Sequence, residues 1–117
     1  MTSRLSCYYF AFSSGRSPVR EFIDALDIKS QVKFFFVRGL LEEFGHRLPQ
    51  PHAKYLGNHI FEMRFTGSEG AIRVLYFFYH QDKVILTDGF IKKSDKTPRN
   101  EKQTAFARRK QFLEQTR

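Results

Sequence analysis

The residues of this chain best suited to chemistry are cations. Arg64 and Arg73 lie in two strand-like segments on either side of a Thr66-Gly67-Ser68-Glu69-Gly70 turn, and Lys54 and His52 precede them in a loop-like stretch. Lys92, Lys93 and Lys96 close the last strand-like run, with Arg99 just beyond. Arg64 shares the polar parity of its strand with Glu62, while Phe61, Met63 and Phe65 take the other side. Arg73 sits between Ile72 and Val74, where an apolar residue is expected. With a turn over roughly residues 66–71, the two arginines come close across an antiparallel ladder.

Converging Arg and Lys side chains can cleave RNA without a metal. The 2′-hydroxyl attacks its own phosphate, a base takes the hydroxyl proton, and an acid protonates the leaving 5′-oxygen. Two or three cations stabilise the phosphorane. A lysine serves as base only where neighbouring cations and desolvation depress its pKa, and the same clustering supplies both.

Each candidate also has a plainer reading. Glu62, Arg64 and Arg73 can form a surface ion network, worth little. Lys54 can belong to an ordinary solvated loop, and Lys92–Lys93 to a strand end kept soluble by charge. Adjacent strand residues point to opposite faces, so at most one of that pair can face a site. Lys92 shares parity with Phe90 and Asp88, and Lys93 with Ile91. Tyr55 and Tyr79 could stack on bases, although packing is the commoner fate of such residues.

Other chemistries lack their residues. His46, His52, His59 and His80 show no metal-ligand spacing, and Cys7 is alone. No glycine-rich phosphate loop or nucleophile elbow is present. The scattered acids disfavour a two-carboxylate glycosidase or a two-metal nuclease. No metal or cofactor is expected.

Composition sets wider bounds. The 117 residues suggest one domain, 1–117. An apolar share of 41 %, with 14 Phe and no Trp, points to a Phe-rich core. The formal charge of +8 attracts nucleic acid, an anionic membrane surface or an acidic protein without choosing among them. No segment approaches the roughly 20 apolar residues of a membrane span. The start of the chain does not read as a leader, and a reducing cytoplasm is the expected location.

The elements that must position the cations follow from periodicity. Residues 5–12, dense in Tyr and Phe, read as a buried strand. Ser17 and Pro18 open a short helix carrying Val19, Phe22, Ile23 and Leu26. Asp27 caps a second helix, whose Ile28, Val32, Phe35, Phe36, Leu40, Leu41 and Phe44 make one apolar stripe for packing on a sheet. Phe34 and Val37 widen it, and Gly45 ends it. Residues 46–58 read as a loop, followed by strands over 60–65, 71–79 and 84–91. After Pro98 comes a surface helix lying partly on the sheet through Ala105, Phe106, Phe112 and Leu113, with a frayed end. The expected fold is α+β and two-layered: an antiparallel meander joined by the N-terminal strand, a helical hairpin on one face, and a partly open face carrying the charges.

The segment Leu56-Gly57-Asn58-His59-Ile60-Phe61-Glu62-Met63-Arg64, the strand Gly70-Ala71-Ile72-Arg73-Val74-Leu75-Tyr76, and above all Phe90-Ile91-Lys92-Lys93-Ser94-Asp95-Lys96-Thr97-Pro98 resemble the RelE/ParE toxin superfamily. Glu101, Ala105 and Arg108 in the following helix point to its HigB-like, phage-derived branch, and the likeness covers essentially the whole chain. The resemblance implies a type II toxin that cleaves mRNA on the ribosome. It also implies a cognate antitoxin, often a helix-turn-helix protein. By position it implies catalytic roles for Arg64, Arg73, Lys54 and Lys92, and RNA contacts for His52, Lys93, Lys96 and Arg99. Relatives often place a Tyr or His near the end for proton transfer, where this chain has Lys96 and Thr97. Two alternatives stand beside this one: a non-catalytic, gyrase-inhibiting toxin of the same fold, and a non-toxic, phage-derived nucleic-acid-binding protein.

Overall fold

The computed structural model describes residues 4–93 and 96–117; Ser94 and Asp95 of the lysine-rich motif lie outside the described residues, as do residues 1–3. The architecture is α+β, with three helices on a five-stranded mixed sheet. The strands are β1 (Ser6–Tyr9), β2 (Ala53–Gly57), β3 (Ile60–Gly67), β4 (Gly70–Tyr79) and β5 (Lys83–Lys92), and the helices are α1 (Pro18–Asp24), α2 (Ile28–Phe44) and α3 (Arg99–Gln115). Spatial order is β1-β5-β4-β3-β2. The short β1 lies at the sheet's edge, parallel to β5, and the other pairings are antiparallel.

Part of the stretch expected as a loop is a strand. β2 pairs with β3, bringing Lys54 opposite Glu62. The β2–β3 turn has positive φ at Asn58 (50°) and His59 (70°), the mirror-image geometry that joins two strands tightly. Asn-His is a weak sequence signal for that turn, so the hairpin was hidden. Lys54 consequently stands on a paired strand.

α2 also departs from expectation. Asp27 caps it, accepting from the Ser30 amide, and Gly45 ends it. The residues it buries, however, are Ser30, Phe34, Val37 and Leu41. Ile28, Val32, Phe35, Phe36 and Phe44, assigned to the packed stripe, are exposed. The helix has apolar residues around much of its circumference, so periodicity did not select the inner face. Its start is fixed by the β3–β4 turn: Ser68 donates its amide to Ser30 Oγ and its hydroxyl to Asp27. These bonds orient the helix so that Phe34 contacts Tyr9 and Phe65. Each fully buried side chain of that size contributes about 1.5–3 kcal/mol.

α1 and α2 share one core with Met63, Ile72, Val74, Tyr76, Val84 and Leu86. α3 builds a second core on the opposite face, where Ala105 is fully buried and Phe106 and Phe112 pack against a cluster that includes Leu75, Phe77 and Ile85. That face is therefore covered over much of its area. The arginines of β3 and β4 stand together at one end of it. Among the described residues, no helix is long and apolar enough to cross a membrane.

One close approach gives a direct test of the first core. A Cβ placed on Gly89 of β5 would stand 2.4 Å from Phe22 Cδ2 of α1. Gly89→Ala is expected to push α1 off the sheet and to cost about 1–3 kcal/mol, read as a lower urea midpoint with an unchanged slope.

Candidate functional site

The sheet register carries the site. Arg64 of β3 and Arg73 of β4 are direct partners in the ladder. One position along, Lys54, Glu62, Leu75 and Asp88 form a row across β2, β3, β4 and β5. On the other side of the arginines, Ala71 is paired with Lys92. Paired residues share a face, so Lys54, Arg64, Arg73 and Lys92 all rise from the side on which α3 packs.

Like charges placed directly opposite repel, and the molecule resolves this with one carboxylate. Glu62 is completely buried. Its Oε1 accepts from Arg64 Nε at 3.0 Å and lies 3.7 Å from Arg73 Nε. Its Oε2 accepts from the hydroxyl of Thr97, in the segment that leads into α3. The surface network of the plainer reading is instead a buried bridge. Arg73 turns one terminal amino group back to the Ile72 carbonyl at 3.0 Å, and its Nε has no hydrogen bond among the described residues. Burial, and secondarily Arg64, hold the Arg73 pKa below its usual range, against the pull of Glu62. Lys92 is shifted the same way: desolvation acts first, then Arg73, Arg64 and Lys54, again against Glu62. All four cations thus lie within one electrostatic field around one acid.

The remaining basic candidates are spread out. His52 lines a cavity with both arginines, and its carbonyl accepts from the Arg64 amide at 2.9 Å. Lys93 lies past the end of β5 and is exposed; Lys96 and Arg99 are exposed around the start of α3. Tyr55 packs on Phe61 and Tyr79 on Phe112.

Beside the cluster is a second acidic feature. Asp88 is 4 % exposed, with Oδ1 accepting from the Thr87 hydroxyl at 2.8 Å. Its Oδ2 has no donor among the described residues when both nearby acids are ionised, yet Glu101 of α3 presents its carboxyl to it. A proton on Asp88 supplies the missing bond. Burial first, and Glu101 next, push the Asp88 pKa up to about 8. Arg108 of α3 bonds the adjacent Thr87 carbonyl at 2.8 Å and partly opposes that shift. Sequence parity placed Asp88 with Phe90 and Lys92 but could not reveal its burial beneath α3.

Residues 21–110 match the family model described as Phage derived protein Gp49-like (DUF891). The chain belongs to the Gp49-like family. That family is related to the RelE/HigB-like toxins. The match spans all four clustered cations, Glu62 and most of α3. No curated protein matches the chain.

Two expectations follow for this Gp49-like site. Glu62→Gln leaves Arg64 and Arg73 facing each other without a counter-charge. Breaking a buried pair costs about 3–5 kcal/mol; the partial exposure of both arginines puts the loss at the low end of that range, measured by chemical denaturation. Asp88 has its folded pKa raised from 3.8 to about 8, so its contribution is full below pH 4 and is lost as pH rises through 8. Wild-type melting temperature should fall over that window, and Asp88→Asn, a neutral isostere, should flatten the fall. An unchanged slope in the variant would show that Asp88 is not the titrating group.

Proposed function

We propose that this Gp49-like chain is a type II toxin of the HigB-like kind, an mRNA endonuclease acting on the ribosome without a metal. The observation that carries the reading is the convergence of Lys54, Arg64, Arg73 and Lys92 around a single buried carboxylate, which leaves positive charge in excess at one end of the sheet. A phosphodiester supplies the complementary charge.

The chemistry can be written through these residues. Arg64 is tied to Glu62 through Nε, which leaves its two terminal amino groups for a phosphate; Arg73 retains N–H donors beyond the one bonded to Ile72. Together they stabilise the charge that develops on the non-bridging oxygens. Lys92, its pKa lowered by desolvation and its cationic neighbours, takes the proton from the 2′-hydroxyl. The 2′-oxygen bonds to phosphorus as the bond from phosphorus to the 5′-oxygen breaks, and the 5′-oxygen takes a proton from the Lys54 ammonium. The products are a 2′,3′-cyclic phosphate and a 5′-hydroxyl. His52, Lys93, Lys96 and Arg99 hold flanking phosphates.

The same reading includes a protein antitoxin, a helix-turn-helix protein in the implied arrangement. Ile28, Val32 and Phe35 support that partner. They form an exposed apolar stripe on α2, with Lys29 beside it, suited to an acidic amphipathic helix.

Induced expression should arrest growth, and a purified translation extract should show messages cut within translating ribosomes. Arg64→Ala and Arg73→Ala should each lower the cleavage rate by about 10²–10³-fold per folded molecule, beyond any loss of stability from leaving Glu62 less well paired. Cleavage should rise with pH towards a Lys92 pKa below the ordinary 10.5, and Lys92→Met should remove that limb. Full toxicity in folded Arg64→Ala and Arg73→Ala proteins would reject the site. Gyrase-dependent DNA breakage with intact message would reject the reaction.

A further inference from the structure

We propose that the cleft between α2 and the unpaired end of β3 is a stacking subsite for one nucleobase of a single strand whose phosphate is held by Arg64 and Arg73. The proposal rests on the phosphodiester reading above and assigns the ligand a second contact point.

The cleft has a simple origin. β2 begins at Ala53, and its pairing reaches β3 only as far as Met63. Beyond the Arg64 amide, which is bonded to the His52 carbonyl, β3 runs on through Phe65 and Thr66 with no strand outside it among the described residues, and the loop at Pro51 and His52 closes the gap at one end. The resulting cavity is about 440 Å³, within the range of small-molecule sites. Its chemistry divides between its walls. Arg64 and Arg73 come from the sheet, and Lys33 comes from α2. Phe36, Pro51 and His52 supply flat or apolar surfaces. Phe36 is 64 % exposed, so its ring is free to be covered.

An anion alone would use the cations and leave Phe36 idle; an apolar ligand alone would leave the guanidinium groups unmatched. A nucleotide presents an anion and a flat base on one short covalent frame, and every base has a face to stack. Neither Lys33 nor Phe36 carries a signal in the sequence pattern. Phe36 is one Phe of three in a row on a helix, and only its position beside the open sheet edge distinguishes it.

The test uses the full chain at low salt, followed by nuclear magnetic resonance. Two probes are compared: inorganic phosphate, and a dinucleotide monophosphate lacking the attacking 2′-hydroxyl. Both should move the arginine side-chain resonances of Arg64 and Arg73, but only the dinucleotide should move the Phe36 ring. The dinucleotide should bind about 5- to 150-fold more tightly than phosphate, the margin expected of one stacked base. Phe36→Ala should remove most of that margin and leave phosphate affinity unchanged. Phe36→Leu, which keeps apolar bulk without a ring face, should do the same, while Phe36→Tyr should restore it. Equal affinity for the two probes in the wild type, or a margin that survives Phe36→Ala, overturns the subsite while leaving the phosphate site in place. Failure of phosphate to move either arginine overturns the subsite together with the reading on which it rests. An acidic peptide that moves the Phe36 ring where the dinucleotide does not assigns the cleft to a protein, and so overturns the proposal.

Discussion

A carboxylate with no exposure to water holds two guanidinium groups that the sheet register places directly opposite each other, and much else depends on it. Arg64 and Arg73 do not share a ladder position without cost, and Glu62 between them offsets their repulsion. Nor could Glu62 sit at 0 % exposure without those two cations and a hydroxyl from Thr97. Buried charge is costly unless paired and hydrogen-bonded. The three groups therefore form one unit, and the unit is incomplete until the chain 35 residues further on has been brought over the sheet. Positioning the cations and closing α3 over the second core are parts of the same event.

α3 is held at its other contacts by a different balance. Its helix is strongly polar, and its fully buried member is the small Ala105. Packing alone gives such a helix a weak hold. Polar links add to it: Arg108 to the Thr87 carbonyl, and the Asp88–Glu101 pair. The first joins a guanidinium to a backbone carbonyl. The second needs a proton on Asp88, because burial and the facing Glu101 carboxyl both disfavour its ionised form. The two acidic features of this face thus behave differently. Glu62 sits among cations and hydroxyl donors, whereas Asp88 faces another acid and titrates far above its ordinary range. Both couple the C-terminal helix to the strands that present the cations.

Much of this was legible in the sequence where the signal is local. The alternation around Glu62 and Arg64, the glycine-flanked turn and the intruding Arg73 together point to a facing pair of arginines, and the ladder contains it. Ser17–Pro18, Asp27 and Gly45 mark helix ends through backbone constraints that do not depend on tertiary context. What was hidden depends on what covers what. Periodicity put Phe36 in the packed stripe and Phe34 at its margin, and the docking of α2 through Asp27, Ser30 and Ser68 reverses them, sending Phe34 into the core and Phe36 out. β2 was hidden because its turn uses Asn58 and His59 where a glycine would have announced it. Glu62 looked like a solvated residue because α3, which helps enclose it, carries too little apolar character to declare that it packs.

The placement of the cations along the sheet has a further consequence. A basic patch scattered on a surface attracts any polyanion but fixes none of its atoms. Here the spacing is set by strand geometry: the arginines lie at one rung, Lys54 one step to one side and Lys92 one step to the other, on strands whose cores are packed on both faces. Long side chains rooted in such a frame lose less freedom on binding an anion than loop lysines do, because Glu62 has already restricted Arg64. The same carboxylate that supports the fold therefore also preorganises Arg64, one of the groups proposed to hold a phosphate. Its charge is too small to neutralise four cations. What it leaves over is a positive field of fixed shape, which is what the proposed phosphodiester ligand would require.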